Sequence, residues 1–234
     1  MIQTENSIEL SDLSIGYSSK QGARMVASHL TASLQRGQLT CLLGENGVGK
    51  STLLKTLSGF LPKLGGSIRL EGRELDDYSE NELARTIGIV LTEKPDVQQM
   101  TVMELVELGR AHYTGFWGRL CEADREACCE AIKLIGIESL KNRQVQTLSD
   151  GERQKVMIAK ALAQDTPIIY LDEPTAFLDY PSKVDMLMLL SRISREAQKT
   201  VFLSTHDLEL SLQTADTIWL MSRDEGLQIG TPQR

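Results

Sequence analysis

A glycine-rich loop between an apolar segment and a helical pattern constrains this sequence most. The run QLTCLLG at 38–44 has the composition of a short buried strand, and the run TLLKTLSGF at 52–60 has the apolar spacing of a helix. Between them, Gly44 to Ser51 fit the pattern G-x-x-x-x-G-K-[ST]. A glycine-rich turn with an incidental lysine is the alternative, but the strand before and the helix after favour a phosphate-binding loop.

The residue types of this loop suit the chemistry of a nucleotide. Glycines let the backbone wrap closely around phosphates, and the N-terminus of the following helix attracts anions. Lys50 is expected to reach the β- and γ-phosphates, and Ser51 to offer its hydroxyl to Mg²⁺. The expected nucleotide-binding loop comprises Gly44, Glu45, Asn46, Gly47, Val48, Gly49, Lys50, Ser51 and Thr52.

A second apolar strand ends in two acids. The run Ile168 to Leu171 is followed by Asp172 and Glu173, and the carboxyl ends of strands in a parallel sheet are where ligands bind. Asp172 is expected to hold the Mg²⁺ shell, and Glu173 to polarise the water that attacks the γ-phosphate. The alternative, in which both acids merely cap the next segment, loses weight because a phosphate loop precedes them.

Strand and helix patterns alternate along much of the chain, which predicts a largely parallel α/β sheet. A helical subdomain is predicted for 93–164, because helical patterns at 101–110, 122–136 and 152–164 follow one another there. The residues 8–34 alternate between β-branched and polar types and predict an antiparallel β layer. The further strands are predicted at 67–70, 87–91, 167–171, 200–204 and 217–221.

Composition narrows the functional classes. The net charge of -7 and the pI near 5.1 argue against a nucleic-acid-binding protein, which needs clustered Lys and Arg. No apolar run approaches the roughly 18 to 20 residues that span a bilayer, and the N-terminus lacks a signal-peptide pattern, so we expect a cytoplasmic protein. We expect reduced thiols at Cys41, Cys121, Cys128 and Cys129.

The segment Leu148 to Gln154, LSDGERQ, resembles the LSGGQ signature of ABC ATPases, and the resemblance extends over nearly the whole chain. It implies one ABC ATPase domain over 1–234, with a P-loop NTPase (RecA-like) core at 1–92 and 165–234. It also implies ATP hydrolysis with Mg²⁺ by a homodimer, in which the signature of one copy covers the γ-phosphate held by the other copy's loop. The implied signature residues are Leu148, Ser149, Asp150, Gly151 and Glu152.

Three further matches fall in the order that the family implies. Tyr17 occupies the position of the aromatic that stacks on adenine, and a strand aromatic of the β layer is the less favoured alternative. The run 176–179 resembles the D-loop that crosses the dimer interface at Asp179. His206 matches the switch histidine, which implies a catalytic role beside Glu173 and Lys50.

Two positions depart from the family pattern. Thr92 falls where the family has a glutamine that contacts Mg²⁺ and senses the permease, and Gln98 and Gln99 lie too far along. The hydroxyl of Thr92 or the carboxylate of Glu93 could replace that glutamine, and loss of coupling is the competing hypothesis. Asp150 replaces a signature glycine, and because Asp is a good N-cap we predict that its side chain bonds to the N–H groups of its own helix.

The run from Met100 to Tyr113 resembles that of importers for iron chelates, haem and cobalamin, with Ala111-His112 replacing a residue and a proline. This likeness implies a permease partner at the inner face of the cell membrane and, indirectly, a substrate-binding protein. The loop 115–118 is either part of the docking surface for the permease or only a connection between packed helices.

Other functions remain open at this stage. A soluble ABC ATPase, such as an iron-sulfur cluster assembly factor, is the alternative, and a DNA- or ribosome-clamping ABC protein would usually need a second ATPase domain or a long coiled coil. The chain ends soon after Pro232, where relatives commonly continue, so a shortened form is one expectation.

Overall fold

Two β-sheets stacked around the helix that follows the glycine loop organise the molecule. The computed structural model describes residues 6–19, 22–91, 99–114 and 119–232. The strands are β1 Asn6–Ser19, β2 Gly22–Gln35, β3 Leu39–Gly44, β4 Gly65–Leu70, β5 Arg73–Glu74, β6 Ile87–Val90, β7 Ile168–Asp172, β8 Thr200–Ser204, β9 Thr217–Ser222 and β10 Gly226–Gly230. The α-helices are α1 Lys50–Leu57, α2 Glu80–Thr86, α3 Val102–Glu107, α4 Glu122–Ile135, α5 Asp150–Ala163, α6 Tyr180–Glu196 and α7 Leu208–Thr214.

The larger sheet has six strands in the order β10-β9-β3-β8-β7-β6. Neighbouring strands in this sheet are parallel, except that β9 and β10 form an antiparallel hairpin. The smaller sheet, in the order β2-β1-β4-β5, is antiparallel. The predicted α/β core and antiparallel β layer are therefore confirmed. Every further predicted strand is also present, but the one predicted at 67–70 is β4 of the small antiparallel sheet and not a strand of the parallel sheet. Sequence patterns did not predict the short strand β5 or the edge strand β10.

The large sheet buries apolar side chains on both faces, because successive residues of a strand point to opposite sides. Ile169 and Leu171 of β7 pack into a cluster with α3 to α7, whereas Ile168 and Tyr170 pack into a second cluster with α1 and the small sheet. The loop that precedes α1 therefore lies between the two sheets, at the carboxyl edge of the parallel strands.

Helices α3, α4 and α5 lie between β6 and β7 in the chain. The helical pattern predicted at 101–110 divides into α3 and a 3-10 helix at Leu108–Tyr113. Gly109 lets this 3-10 helix lie close against α5, because a Cβ there would lie 2.4 Å from the carbonyl oxygen of Lys160.

All four cysteines are free thiols, as predicted. In the described part of the chain, no helix is long and apolar enough to cross a membrane.

Candidate active site

The glycine loop joins β3 to α1 by a backbone path that side chains would block. Gly44 has φ 156°, and a Cβ there would lie 2.4 Å from the carbonyl oxygen of Met221 on β9. The N-cap of α1 is Gly49, with φ 120°. Lys50 is buried, and its Nζ donates to the carbonyl oxygens of Gly44 at 2.7 Å and Glu45 at 3.2 Å. The ammonium group is therefore held inside the curve of the loop.

A cavity of about 320 Å³ opens beside this loop. The side chain of Tyr17 forms one wall and remains 47% exposed, while its hydroxyl lies 3.0 Å from Oγ1 of Thr52 in the first turn of α1. Val48, which was expected to bind nucleotide, is buried in the core beneath the loop. The lining consists of Tyr17, Arg24, Val26, Asn46, Gly47, Gly49, Lys50, Ser51, Thr52 and Glu173.

Two lining residues, Arg24 and Val26, were missed by sequence reasoning. Arg24 is the cross-strand partner of Tyr17 in the β1–β2 hairpin, so both side chains stand on one face. Val26 lies two residues further along β2, and its Cγ1 would be 2.6 Å from a Cβ built on Gly49. No sequence motif marks these two residues. They could have been found only from the register in which β1 pairs with β2.

One serine of β8 bonds to both acids at the end of β7, where Asp172 is the last strand residue and Glu173 follows it. Asp172 is buried at 4% exposure, and its Oδ1 accepts a 2.5 Å hydrogen bond from the hydroxyl of Ser204. The backbone N–H of Glu173 donates to Oγ of Ser204 at 3.0 Å and to its carbonyl oxygen at 3.2 Å. Glu173 also has φ 49°, a left-handed conformation that is uncommon outside glycine. Ser204, another residue that sequence reasoning missed, therefore positions the carboxylate of Asp172 and the backbone of Glu173.

His206 lies beside the second acid. Its Nδ1 is 3.9 Å from Oε1 of Glu173, and its side chain is more than half exposed. The adjacent Thr205 is buried, with its N–H bonded to the carbonyl oxygen of Leu42 on β3. The histidine is thus carried on backbone that is anchored to the central strand.

The signature segment forms the start of α5, with Ser149 as its N-cap. The Ser149 hydroxyl accepts from the N–H of Glu152, whose carboxylate accepts from the Ser149 N–H at 2.8 Å. The Ser149 N–H and hydroxyl, with help from Arg143, hold the pKa of Glu152 below its usual range. The N-cap of α5 is thus Ser149 and not Asp150, which is the first helical residue; that the Asp150 side chain bonds to N–H groups of its own helix stays a prediction.

The signature segment does not line the cavity beside the glycine loop. It packs instead on the segment 176–179 of its own chain, since a Cβ on Gly151 would lie 3.2 Å from Leu178 and 3.4 Å from the carbonyl oxygen of Phe177. Asp179 at the end of this segment is the N-cap of α6 and accepts from the N–H of Ser182. Hydrogen bonds from Ser182 lower the pKa of Asp179.

The structure leaves some predictions outside its described residues. They concern Thr92, Glu93 and the aromatic loop 115–118. Gln99 is within the described residues and has a left-handed backbone, with φ 62°.

A second cavity of about 410 Å³, here called the lateral groove, lies between the end of α1, α2, α5 and the 3-10 helix Leu108–Tyr113. Exposed apolar side chains of Phe60 and Leu108 line it, at 60% and 44% exposure. Its polar wall includes His112 and Lys160. The segment that sequence likeness connects to importers therefore forms one side of a groove.

The strand, glycine loop and helix, with two acids at the neighbouring strand end, define a P-loop nucleoside triphosphatase. A profile described as ABC transporter matches residues 27–176. The chain belongs to the ABC transporter family and is an ATPase of that family.

The chain is 37% identical to the ferric enterobactin transport ATP-binding protein FepC of Escherichia coli, over 94% of this chain and 80% of FepC. It is 36% identical to the iron(3+)-hydroxamate import ATP-binding protein FhuC of Bacillus subtilis, over 97% of this chain and 82% of FhuC. Among solved structures it is similar to the bacterial ABC transporter cassette MJ0796, seen as a dimer and as a dimeric post-hydrolysis state bound to ADP and Pi. Each MJ0796 comparison has a TM-score of 0.85 and 25% identity, over 97% of this chain and 99% of MJ0796.

Proposed function

We propose that two copies of this chain close around two ATP molecules and hydrolyse them to drive a membrane permease, in the import of an iron chelate, haem or cobalamin. The cavity beside Gly44–Ser51 carries this proposal. It combines a phosphate loop, an aromatic wall and a carboxylate, yet it has no residue of the signature 148–152. One copy therefore supplies half of a site, and a second copy supplies the other half.

In this proposal the phosphate chain of ATP lies along the glycine loop, with Lys50 at the β- and γ-phosphates. The backbone N–H groups at the start of α1 face the anion, as they do at other helix N-termini. Tyr17 offers its ring to the adenine, and Arg24 beside it adds a positive charge at the cavity wall. Arg24 forms no ion pair with any residue in the described ranges.

A magnesium ion fits the oxygen donors at the loop. Mg²⁺ is typically held by one or two carboxylates, substrate phosphates and waters rather than by an all-protein cage. The hydroxyl of Ser51 lies in the cavity lining, and the carboxylate of Asp172 stands at the adjoining strand end. Bound Mg²⁺ would neutralise charge that develops on the β- and γ-phosphates.

The catalytic step needs a water aligned with the γ-phosphate. Glu173 would accept a hydrogen bond from that water and polarise it, and His206 would contact the γ-phosphate from the neighbouring strand end. Ser204 fixes the backbone of Glu173, so the carboxylate needs little rearrangement to act.

The second half of the site would be the N-terminus of α5 in the other copy. This helix has 14 residues, and its first N–H groups and dipole favour an anion. Ser149 and Gly151 would approach the γ-phosphate, with Asp179 at the same interface. The carboxylate of Glu152 is already bonded to Ser149 and Arg143, which lowers its repulsion toward phosphate.

Within one chain, the residues 1–92 and 165–234 would form the catalytic core, and 93–164 the helical subdomain. The Thr92–Glu93 segment would be the coupling loop between them. If Thr92→Ala and Glu93→Ala both leave ATPase activity and transport unchanged, this coupling role is wrong.

The permease and cargo follow from the relatives. FepC and FhuC are transport and import ATP-binding proteins for ferric enterobactin and iron(3+)-hydroxamate, and such systems need a membrane partner. We assign the lateral groove to that partner, with the chain at the inner face of the membrane and a substrate-binding protein acting indirectly. This role distinguishes the chain from a soluble assembly factor.

The proposal is tested with the purified chain and with its membrane partner. Tagged wild-type chain should recover a polytopic membrane protein from detergent-solubilised membranes, and ATP hydrolysis by that complex should depend on Mg²⁺. Recovery of soluble scaffold proteins alone would overturn the transport role, while ATP hydrolysis by the isolated chain would still stand.

A further inference from the structure

The imidazole of His206 takes its position from the backbone that carries it. Its nearest acid is Glu173, with Nδ1 3.9 Å from Oε1, and more than half of the side chain is exposed. Within the described part of the chain, no hydrogen bond holds the ring. The residues on either side, Thr205 and Asp207, therefore decide where the imidazole lies.

These two neighbours are anchored differently. The Thr205 N–H donates to the carbonyl oxygen of Leu42 on the central strand at 3.0 Å. Asp207 is the N-cap of α7, and its Oδ1 accepts from the N–H of Leu210 at 3.2 Å. Helix α7 has only seven residues, and a helix this short is marginal without tertiary contacts. The place of His206 therefore depends on what holds Asp207.

The second carboxylate oxygen of Asp207 faces Lys183 on α6. Nζ of Lys183 lies 3.9 Å from Oδ2 of Asp207, and both side chains are only 20% exposed. Among the residues that the structure describes, Lys183 has no other ionic partner. Salt screens partly buried charges much less than exposed ones. The ammonium thus holds the carboxylate oxygen that does not cap α7.

Helix α6 gives this pair a rigid support. It has 17 residues, and Met186, Leu187 and Leu190 of its buried face pack into the core beside the large sheet. Lys183 lies in the first turn, where its backbone N–H donates to the carbonyl oxygen of Asp179 at 2.9 Å. The ion pair therefore ties the backbone of the histidine to the helix that follows the segment 176–179.

We propose that Lys183 is a positioning residue for ATP hydrolysis, which pairs with Asp207 and thereby holds His206 beside Glu173. The inference rests on the proposed function, because it supplies the support for the catalytic role of His206. Lys183 does not line the cavity beside the glycine loop. Its loss should therefore slow turnover and leave the affinity for ATP unchanged.

Substitution of Lys183 tests this role in the full chain. Lys183→Met should lower kcat for ATP hydrolysis about 10- to 100-fold, with KM within about twofold of the wild-type value. Lys183→Arg keeps the charge and should retain most of the wild-type kcat. Lys183→Gln is also neutral and gives the same test if urea unfolding shows that the methionine variant is not folded. Wild-type kcat in the neutral variant, or an equal loss in Lys183→Arg, contradicts the inference.

Lys199→Met is the matched control for the loss of a paired lysine. Lys199 is 16% exposed and pairs with Asp165 at 2.8 Å, and neither residue lines the nucleotide cavity. This variant should keep the wild-type kcat even where it lowers the free energy of unfolding. A loss of kcat equal to that of Lys183→Met would show that any broken ion pair has the same effect, and the inference would be wrong.

A double variant shows whether Lys183 acts through the histidine. Added to His206→Ala, the Lys183→Met substitution should lower kcat no further, because the effects of residues that act together are not additive. A further loss as large as that in Lys183→Met alone overturns the inference and leaves the proposed function intact. Wild-type kcat in His206→Ala itself overturns the proposed role of His206, and the inference with it.

Discussion

Nδ1 of His206 lies 3.9 Å from Oε1 of Glu173, so the ends of two adjacent parallel strands present an imidazole and a carboxylate side by side. Glu173 lines the cavity beside the glycine loop, and the strand order β3-β8-β7 sets the end of β8, which precedes His206, next to β3. This arrangement suits a carboxylate that polarises water and a histidine that contacts phosphate.

Glu173→Gln should abolish turnover while ATP still binds. The amide keeps the size of the side chain but is a much weaker proton acceptor, so kcat should fall about 10²- to 10⁴-fold. Phosphate release measures kcat, and equilibrium binding of a fluorescent ATP analogue measures affinity. Glu209→Gln, an exposed acid on α7, serves as the control. Full turnover by Glu173→Gln would rule out this catalytic role.

Ser204→Ala should lower both stability and kcat. Loss of a hydrogen bond to a buried charged group costs about 1.5–3 kcal/mol, and the same substitution frees the backbone of Glu173. Urea unfolding measures stability, and the split between kcat and KM shows whether positioning or binding is affected. Ser204→Thr retains a hydroxyl and should recover much of the loss. An alanine variant with wild-type kcat would show that Ser204 is only a structural residue.

These two residues also show how far sequence reasoning reaches. The glycine loop, the strand before it and the two acids at the end of β7 were predictable, because each is encoded by neighbouring residues. Ser204 reaches Asp172 only through the register of β7 with β8, and Arg24 reaches Tyr17 only through the β1–β2 hairpin. Such long-range pairing has no local signature.

The N-cap of α5 is a different case. The pattern S-x-x-E at Ser149 and Glu152 is a capping-box signature, so the correct cap was available in the sequence. Asp150, the adjacent candidate, departs from the family glycine. The general preference for Asp at N-caps does not distinguish Ser149 from Asp150. The reciprocal hydrogen bonds of the capping box do, because only Ser149 has a Glu three residues later.

Arg110→Ala should destabilise the fold strongly. The Arg110–Asp124 pair is largely buried, with side chains 12% and 7% exposed, and Arg110 also donates to the carbonyl oxygen of Ala163 on α5. Removing one partner of a buried pair costs about 3–5 kcal/mol. Arg192→Ala breaks a long exposed pair with Glu196 and should change the free energy of unfolding by less than about 1 kcal/mol. Equal effects in urea unfolding would show that Arg110 is not a structural anchor.

Acid should weaken the cap of α2. Arg73, then Ser79, lower the pKa of Glu82 to about 2, against about 4.3 in an unfolded chain. A lowered folded-state pKa gives stability that is present above the unfolded value and lost as pH falls toward 2. The stability gap between wild type and Glu82→Gln should therefore shrink between about pH 5 and pH 2. Asn81→Gln, a neighbour that does not titrate, controls for general acid effects; a gap that is constant with pH would contradict the assignment.

The central claim is that each ATP is held by two copies of the chain, and the ATP-dependent mass of Glu173→Gln tests it most directly. In sedimentation, this variant should run near the chain mass of 26.0 kDa without nucleotide and near twice that mass with saturating ATP and Mg²⁺. Adding Ser149→Arg, which places bulk and a new side chain at the signature, should leave ATP binding intact and keep the protein at the single-chain mass. If Glu173→Gln stays monomeric with ATP bound, or if Ser149→Arg does not prevent the dimer, the shared site is wrong.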